Sequence, residues 1–261
     1  MKKFLICMLG VVSGLLIVAS GNAFAATLDL TNLNSSGNIV DAYFYQLSSA
    51  NAGTGNFDPF LRIQNNGTEV GYNSGDPSAY PDVKTGTWTH NLQLSDLQDN
   101  IVSGPGGVNY YEFLLDINQK NQNTPGDPDQ LLSVNAIKIY LASSPNVNVE
   151  IGSSPLVTPA YNLDASADNT ITLSAALSNG SGMGDMKAYI PTSYFAGSLS
   201  QYVYFYTEMG VPYSSNDGFE EWGERTGGSP TNPPVPEPAT MSLLGLGLLG
   251  LVGFRRKKAS N

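Results

Sequence analysis

The chain has 261 residues, with 22 acidic against 12 basic side chains, one histidine and one cysteine. Its net charge of −10 repels polynucleotides and anionic membranes, which excludes a nucleic-acid partner. One histidine and one cysteine cannot supply the usual zinc ligand set.

The N-terminus shows the three zones of a secretory signal peptide: basic Lys2 and Lys3, an apolar run over 4–19, and Ala23-Phe24-Ala25 as the A-x-A cleavage site. Signal peptidase would remove 1–25 and leave Ala26 first; an uncleaved anchor is the alternative. The sole cysteine, Cys7, leaves with this segment. The exported body therefore has no disulfide available and depends on a hydrophobic core.

Residues 26–222 alternate apolar and polar side chains with the period of two that marks strands. The candidates in order are "TLDLT", "NIVDAYFYQL", "FLRIQ", "TWTHNLQL", "VNYYEFLLDI", "AIKIYLA", "LVTPAYNL", "NTITLSAAL" and "QYVYFYTEM". Tyr111, Phe113, Leu115 and Ile117 share one face, and Tyr110, Glu112, Leu114 and Asp116 the other. About nine or ten short strands predict an all-β body, an antiparallel β-sandwich of jelly-roll type. "LSDLQ" and "TSYFAG" are candidates for short helices, and long polar connections such as "NNGTEVGYNSGDPSAYPDVKTG" read as loops.

Residues 223–234 have no apolar period and read as a flexible Pro/Gly-rich linker. Then comes "VPEPATMSLLGLGLLGLVGFRRKK", residues 235–258. An apolar stretch over 239–254 separates Pro236, Glu237 and Pro238 from the basic cluster Arg255, Arg256, Lys257 and Lys258. As a helix, 241–254 reaches about 21 Å, short of the roughly 30 Å of a hydrocarbon core. It serves as a single transmembrane helix only with Ala239 and snorkelling of the basic side chains. The positive-inside rule places the cluster in the cytoplasm. "GLGLLG" matches G-x-G-x-x-G in form alone, since no strand precedes it. A buried core helix and a permanent tail anchor compete with a processed span for this stretch.

This tail resembles the PEP-CTERM sorting signal of exported proteins in biofilm- and exopolysaccharide-producing Gram-negative bacteria. The resemblance implies that an inner-membrane exosortase, a cysteine-dependent transpeptidase-like enzyme, recognises Pro236-Glu237-Pro238 and removes the helix. It implies a transient stay in the inner membrane, then the cell surface or extracellular matrix. The body is similar to tail-bearing exported proteins of uncharacterised function in "LQLSDL", "YYEFLLDIN", "DQLLSVNAIKIYLASSP", "GMGDMKAYIP" and "GFEEW"; this brings no activity with it.

With both ends removed at the expected points, six basic face 21 acidic residues, a net charge of −15. His90, in "WTHNL", reads as a histidine on a mostly apolar face. Glu112 and Asp116 stand roughly 13 Å apart along one strand, too far for a glycosidase pair by themselves. No cofactor is expected unless calcium binds, for which the loop acids Asp127 and Asp129, or Asp217, Glu220 and Glu221, are candidates. Tyr202, Tyr204 and Tyr206 form a ladder on one face, suited to sugar stacking or to cross-strand packing. The expectation is a non-enzymatic surface or matrix protein; the alternative is a carbohydrate-binding module or glycan-active enzyme delivered by the same route, with polysaccharide as partner.

Overall fold

The computed structural model describes residues 25–47, 57–75, 80–120, 126–147, 156–178 and 184–225. Ala23 and most of the signal peptide lie outside them, as do Pro236, Glu237, Pro238, the 239–254 stretch and the basic cluster Arg255, Arg256, Lys257 and Lys258.

β1 (Thr27–Leu30) leads to a hairpin of β2 (Ser36–Ile39) and β3 (Ala42–Gln46), where the pattern predicts one strand. Val40 and Asp41 turn the chain at φ 47° and 60°, the left-handed pair that a two-residue hairpin loop requires. β4 (Phe57–Ile63) contains "FLRI", while β5 (Glu69–Tyr72) falls in a segment expected to be loop. Of "TWTHNLQL" only β6 (Leu92–Gln93) is strand. A 3-10 turn at Asp96–Asn100 then leads through β7 (Ile101–Ser103) to β8 (Asn109–Asp116). β9 (Leu131–Ala142), β10 (Val157–Asn162) and β11 (Thr170–Ser174) follow as expected. β12 (Met186–Pro191) is new, and a 3-10 turn at Thr192–Tyr194 precedes β13 (Tyr202–Met209).

β14 (Glu220–Arg225) corrects the expected domain boundary, because Gly223, Glu224 and Arg225 are strand and not linker. Gly223 permits the pairing: a Cβ there would meet the Asp58 carbonyl at 2.8 Å and the Phe57 ring at 2.8 Å. Arg225 then reaches Glu112 on the neighbouring β8, with Nε 3.2 Å from Oε1.

One sheet runs β1-β11-β9-β13-β5, with β10 beside β9 and β6 beside β13. The other runs β2-β3-β12-β8-β14-β4, with β7 beside β8. Among the described strands every pairing is antiparallel except β1 with β11. The two sheets close on one core. Phe113 of β8 meets Phe205 of β13 at 5.2 Å between centroids, and Phe205 lies 4.5 Å from Trp222 of β14. Tyr111, Phe113, Leu115 and Ile117 all join this core, as their alternation predicts.

Candidate functional site

The loop acids named from the sequence lie in neighbouring loops without converging. Asn216 Nδ2 donates to the Asp129 carbonyl at 2.7 Å, and Asn216 Oδ1 accepts from the Lys120 N–H at 2.8 Å. The loops around 127–130 and 213–219 are thereby held side by side. Asp127 Oδ1 accepts from the Asp129 N–H at 3.0 Å and caps the 3-10 turn Pro128–Gln130. Asp217 Oδ1 accepts from the Gly218 N–H at 3.0 Å. Glu220 turns inward, fully buried against Glu69. Among the described residues no three His, Cys, Asp or Glu side chains are grouped to hold a metal. The calcium set of Asp127, Asp129, Asp217 and Glu220 is therefore not assembled: two of the acids serve their own turns and a third belongs to the interior.

What the fold assembles here is a group of buried carboxyls around the end of β8. Glu69 and Glu220 stand within hydrogen-bonding reach of each other, and burial raises both above the ordinary glutamate value, Glu220 well above it. Asp185, ahead of β12, accepts the Ile117 N–H on Oδ2 at 2.8 Å. Burial, then the nearby Asp116 charge, hold it well above the usual carboxylate range. Glu221 beside them is paired: Arg62 Nε and Nη2 lie 2.7 and 2.6 Å from its Oε1. Burial raises Glu221 and Arg62 opposes the rise. Glu69 sits in a stretch that reads as loop and Asp185 in a Gly-rich one, so no sequence signal marked either.

Glu112 is buried on the outer face of β8 and held by two cations, Lys187 Nζ at 3.5 Å and Arg225 Nε at 3.2 Å. His90 is half-buried, its Nδ1 2.9 Å from the Asn91 carbonyl. The tyrosine ladder is a packed face. Tyr204 is fully buried; its hydroxyl donates to the Ser144 carbonyl at 3.1 Å and accepts from the Val147 N–H at 3.1 Å, while Tyr202 and Tyr206 are half-covered. The exposed aromatic site lies elsewhere. Trp88 is 44% exposed, with the Arg62 guanidinium 4.4 Å from its ring and 3.8 Å from that of Phe219. Neither Trp88 nor Arg62 stands out in the sequence, because their contact joins an irregular segment to a strand.

The body is tied in from the first residue expected after signal cleavage. The Ala26 N–H donates to Asn169 Oδ1 at 2.9 Å, and its carbonyl accepts from the Thr170 N–H at 2.9 Å. Ala25 is exposed. At the other end the chain leaves β14 at Arg225 toward the apolar tail. Residues 234–257 match the PEP-CTERM protein-sorting motif. The match takes in Pro236, Glu237 and Pro238, the 239–254 stretch and the basic cluster as far as Lys257. A PEP-CTERM signal implies export, membrane-associated sorting and an exosortase as processing partner. No characterised protein and no solved structure matches the chain. Among the described residues no helix is long and apolar enough to cross a membrane.

Proposed function

We propose that the protein is an exported, non-enzymatic component of the cell surface or extracellular matrix, sorted through its C-terminal PEP-CTERM signal. The motif match over 234–257 carries this reading. Signal peptidase removes 1–25 and the body folds outside as a jelly-roll-like β-sandwich. The linker from 226 onward holds it clear of the inner membrane while the 239–254 helix crosses, with Arg255, Arg256, Lys257 and Lys258 on the cytoplasmic side. An exosortase cleaves at Pro236-Glu237-Pro238, and the body joins biofilm or exopolysaccharide material without a resident cofactor. Two observations support a non-enzymatic body: His90 faces a backbone carbonyl, and Glu112 is neutralised by Lys187 and Arg225. The test is cell fractionation of wild type against Glu237→Ala: the variant stays in the inner-membrane fraction under this reading, and equal release of both forms would sink it.

A second reading, a carbohydrate-binding module or glycan-active enzyme delivered by the same route, is favoured by one observation. Trp88 presents ring surface to solvent while Arg62 holds it from one side, and an aromatic face fixed in this way suits a sugar ring. Trp222, the second tryptophan, is fully buried, so quenching of exposed-tryptophan fluorescence by a neutral polysaccharide reports on Trp88 directly. Unchanged fluorescence in wild type removes this reading.

A further inference from the structure

β5 and β14 belong to different sheets, and Glu69 at the start of one meets Glu220 at the start of the other. Both residues are 0% exposed. One oxygen of each is placed by neighbours. Glu69 Oε2 accepts the Asn65 N–H at 3.0 Å, and Glu220 Oε2 lies 3.5 Å from Ser215 Oγ. The Asn118 N–H also donates to Glu220. The two Oε1 atoms, buried as well, have no hydrogen-bond partner. Another acid, Asp82, faces Glu69, and its Oδ2 accepts the Val70 N–H at 3.0 Å. Among the described residues neither glutamate forms an ion pair with a lysine or arginine.

Two carboxylates in contact and out of water cannot both stay ionised, because their repulsion adds to the cost of desolvating each. A proton or a cation has to stand between them. No three acidic side chains among the described residues are grouped for a metal, which favours the proton over a cation.

We propose that Glu69 and Glu220 share one proton in a carboxyl–carboxylate bond that latches the two sheets together and makes the closure of this end of the fold pH-sensitive. Glu220 is the donor and Glu69 the acceptor. The proton is taken from solvent as the fold closes and returns to solvent when the pair opens. Ser215 carries the effect outward: its backbone pairs with Gly67 in both directions, at 2.8 and 3.0 Å, and the next residue, Asn216, ties the loop to Asp129. Opening the latch therefore loosens the 213–219 and 127–130 loops together. The inference goes beyond the sorting reading and does not depend on it, although an exported protein would meet a less buffered pH than one kept in the cytoplasm.

The folded pair keeps a proton at a pH where unfolded glutamates have lost theirs. Its contribution is full below the ordinary glutamate value and is lost as pH rises through the folded value. The experiment follows urea midpoints of the protein purified from its host, for wild type, E220Q and E69Q, between about pH 5 and about pH 9. A glutamine at 220 donates permanently to Glu69, so the wild-type midpoint should fall relative to E220Q as pH rises. E69Q removes the carboxylate and should flatten the curve in the same way. Should neither variant fold, amide hydrogen exchange in wild type decides, with Asn65 and Asn118 opening at least about tenfold more at the alkaline end after correction for intrinsic rates. Parallel midpoints, pH-independent opening, or a metal in the purified protein whose chelation alone loosens the fold would each overturn the proposal.

Discussion

The Ala26 N–H donates to Asn169 Oδ1 at 2.9 Å, and Asn169 Nδ2 donates to the Leu163 carbonyl at 2.7 Å. One side chain thus joins the first residue after the expected cleavage point to the turn between β10 and β11. After cleavage the Ala26 nitrogen is an ammonium, which still donates. Asn169 is 2% exposed, so Asn169→Ala strips a buried carbonyl of this donor and should cost about 1–3 kcal/mol. Urea unfolding of the mature protein checks this, with hydrogen exchange at β1 showing the loss locally.

The β2–β3 turn places a β-branched residue, Val40, at φ 47°, a conformation unfavourable for that side chain. Replacing Val40-Asp41 with Asn-Gly supplies the residues a two-residue hairpin loop prefers. The double variant should be more stable by about 1 kcal/mol, read as a raised Tm.

Much of the fold was legible because alternation survives wherever a strand has one face in the core. β8, β9, β11 and β13 were readable for this reason, and each points its expected apolar residues inward. The β2–β3 hairpin was hidden because Val40-Asp41 carries no Asn-Gly signature. β5 and β14 were hidden because their buried positions include Glu69, Glu220 and Glu221, which a pattern reading assigns to solvent. The carboxyl cluster at this end was only half legible: Glu220 and Glu221 read as loop acids, and nothing marked Glu69 or Asp185, because the group forms only where segments distant in sequence meet. The sorting tail was fully legible, because each of its parts is contiguous.

Glu224 is raised to about 7, first by burial and then by the charges of Asp96, Asp58 and Asp99, against the opposing Asn100 donor at 3.0 Å. A raised acid favours the folded state most below the ordinary glutamate value, and that advantage disappears as pH climbs through about 7. NMR titration should find a glutamate moving near neutrality that is missing in Glu224→Gln. A Glu224 that titrates in the ordinary range contradicts this.

Arg62 neutralises Glu221 and stacks between Trp88 and Phe219. Arg62→Ala leaves a mostly buried carboxylate unpaired and should cost about 3–5 kcal/mol, with a change in Trp88 emission. Arg62→Lys keeps the charge but loses the planar fork and should recover only part of this. Thermal unfolding monitored by tryptophan fluorescence ranks the three proteins.

The central claim is that the tail is a processed sorting signal, and intact-mass spectrometry of the protein recovered from its host tests it most directly. The account predicts a wild-type species that begins at Ala26 and lacks the 239–254 stretch, with Glu237→Ala retaining its full C-terminus. A full-length C-terminus in both proteins would contradict it and make the tail a permanent anchor.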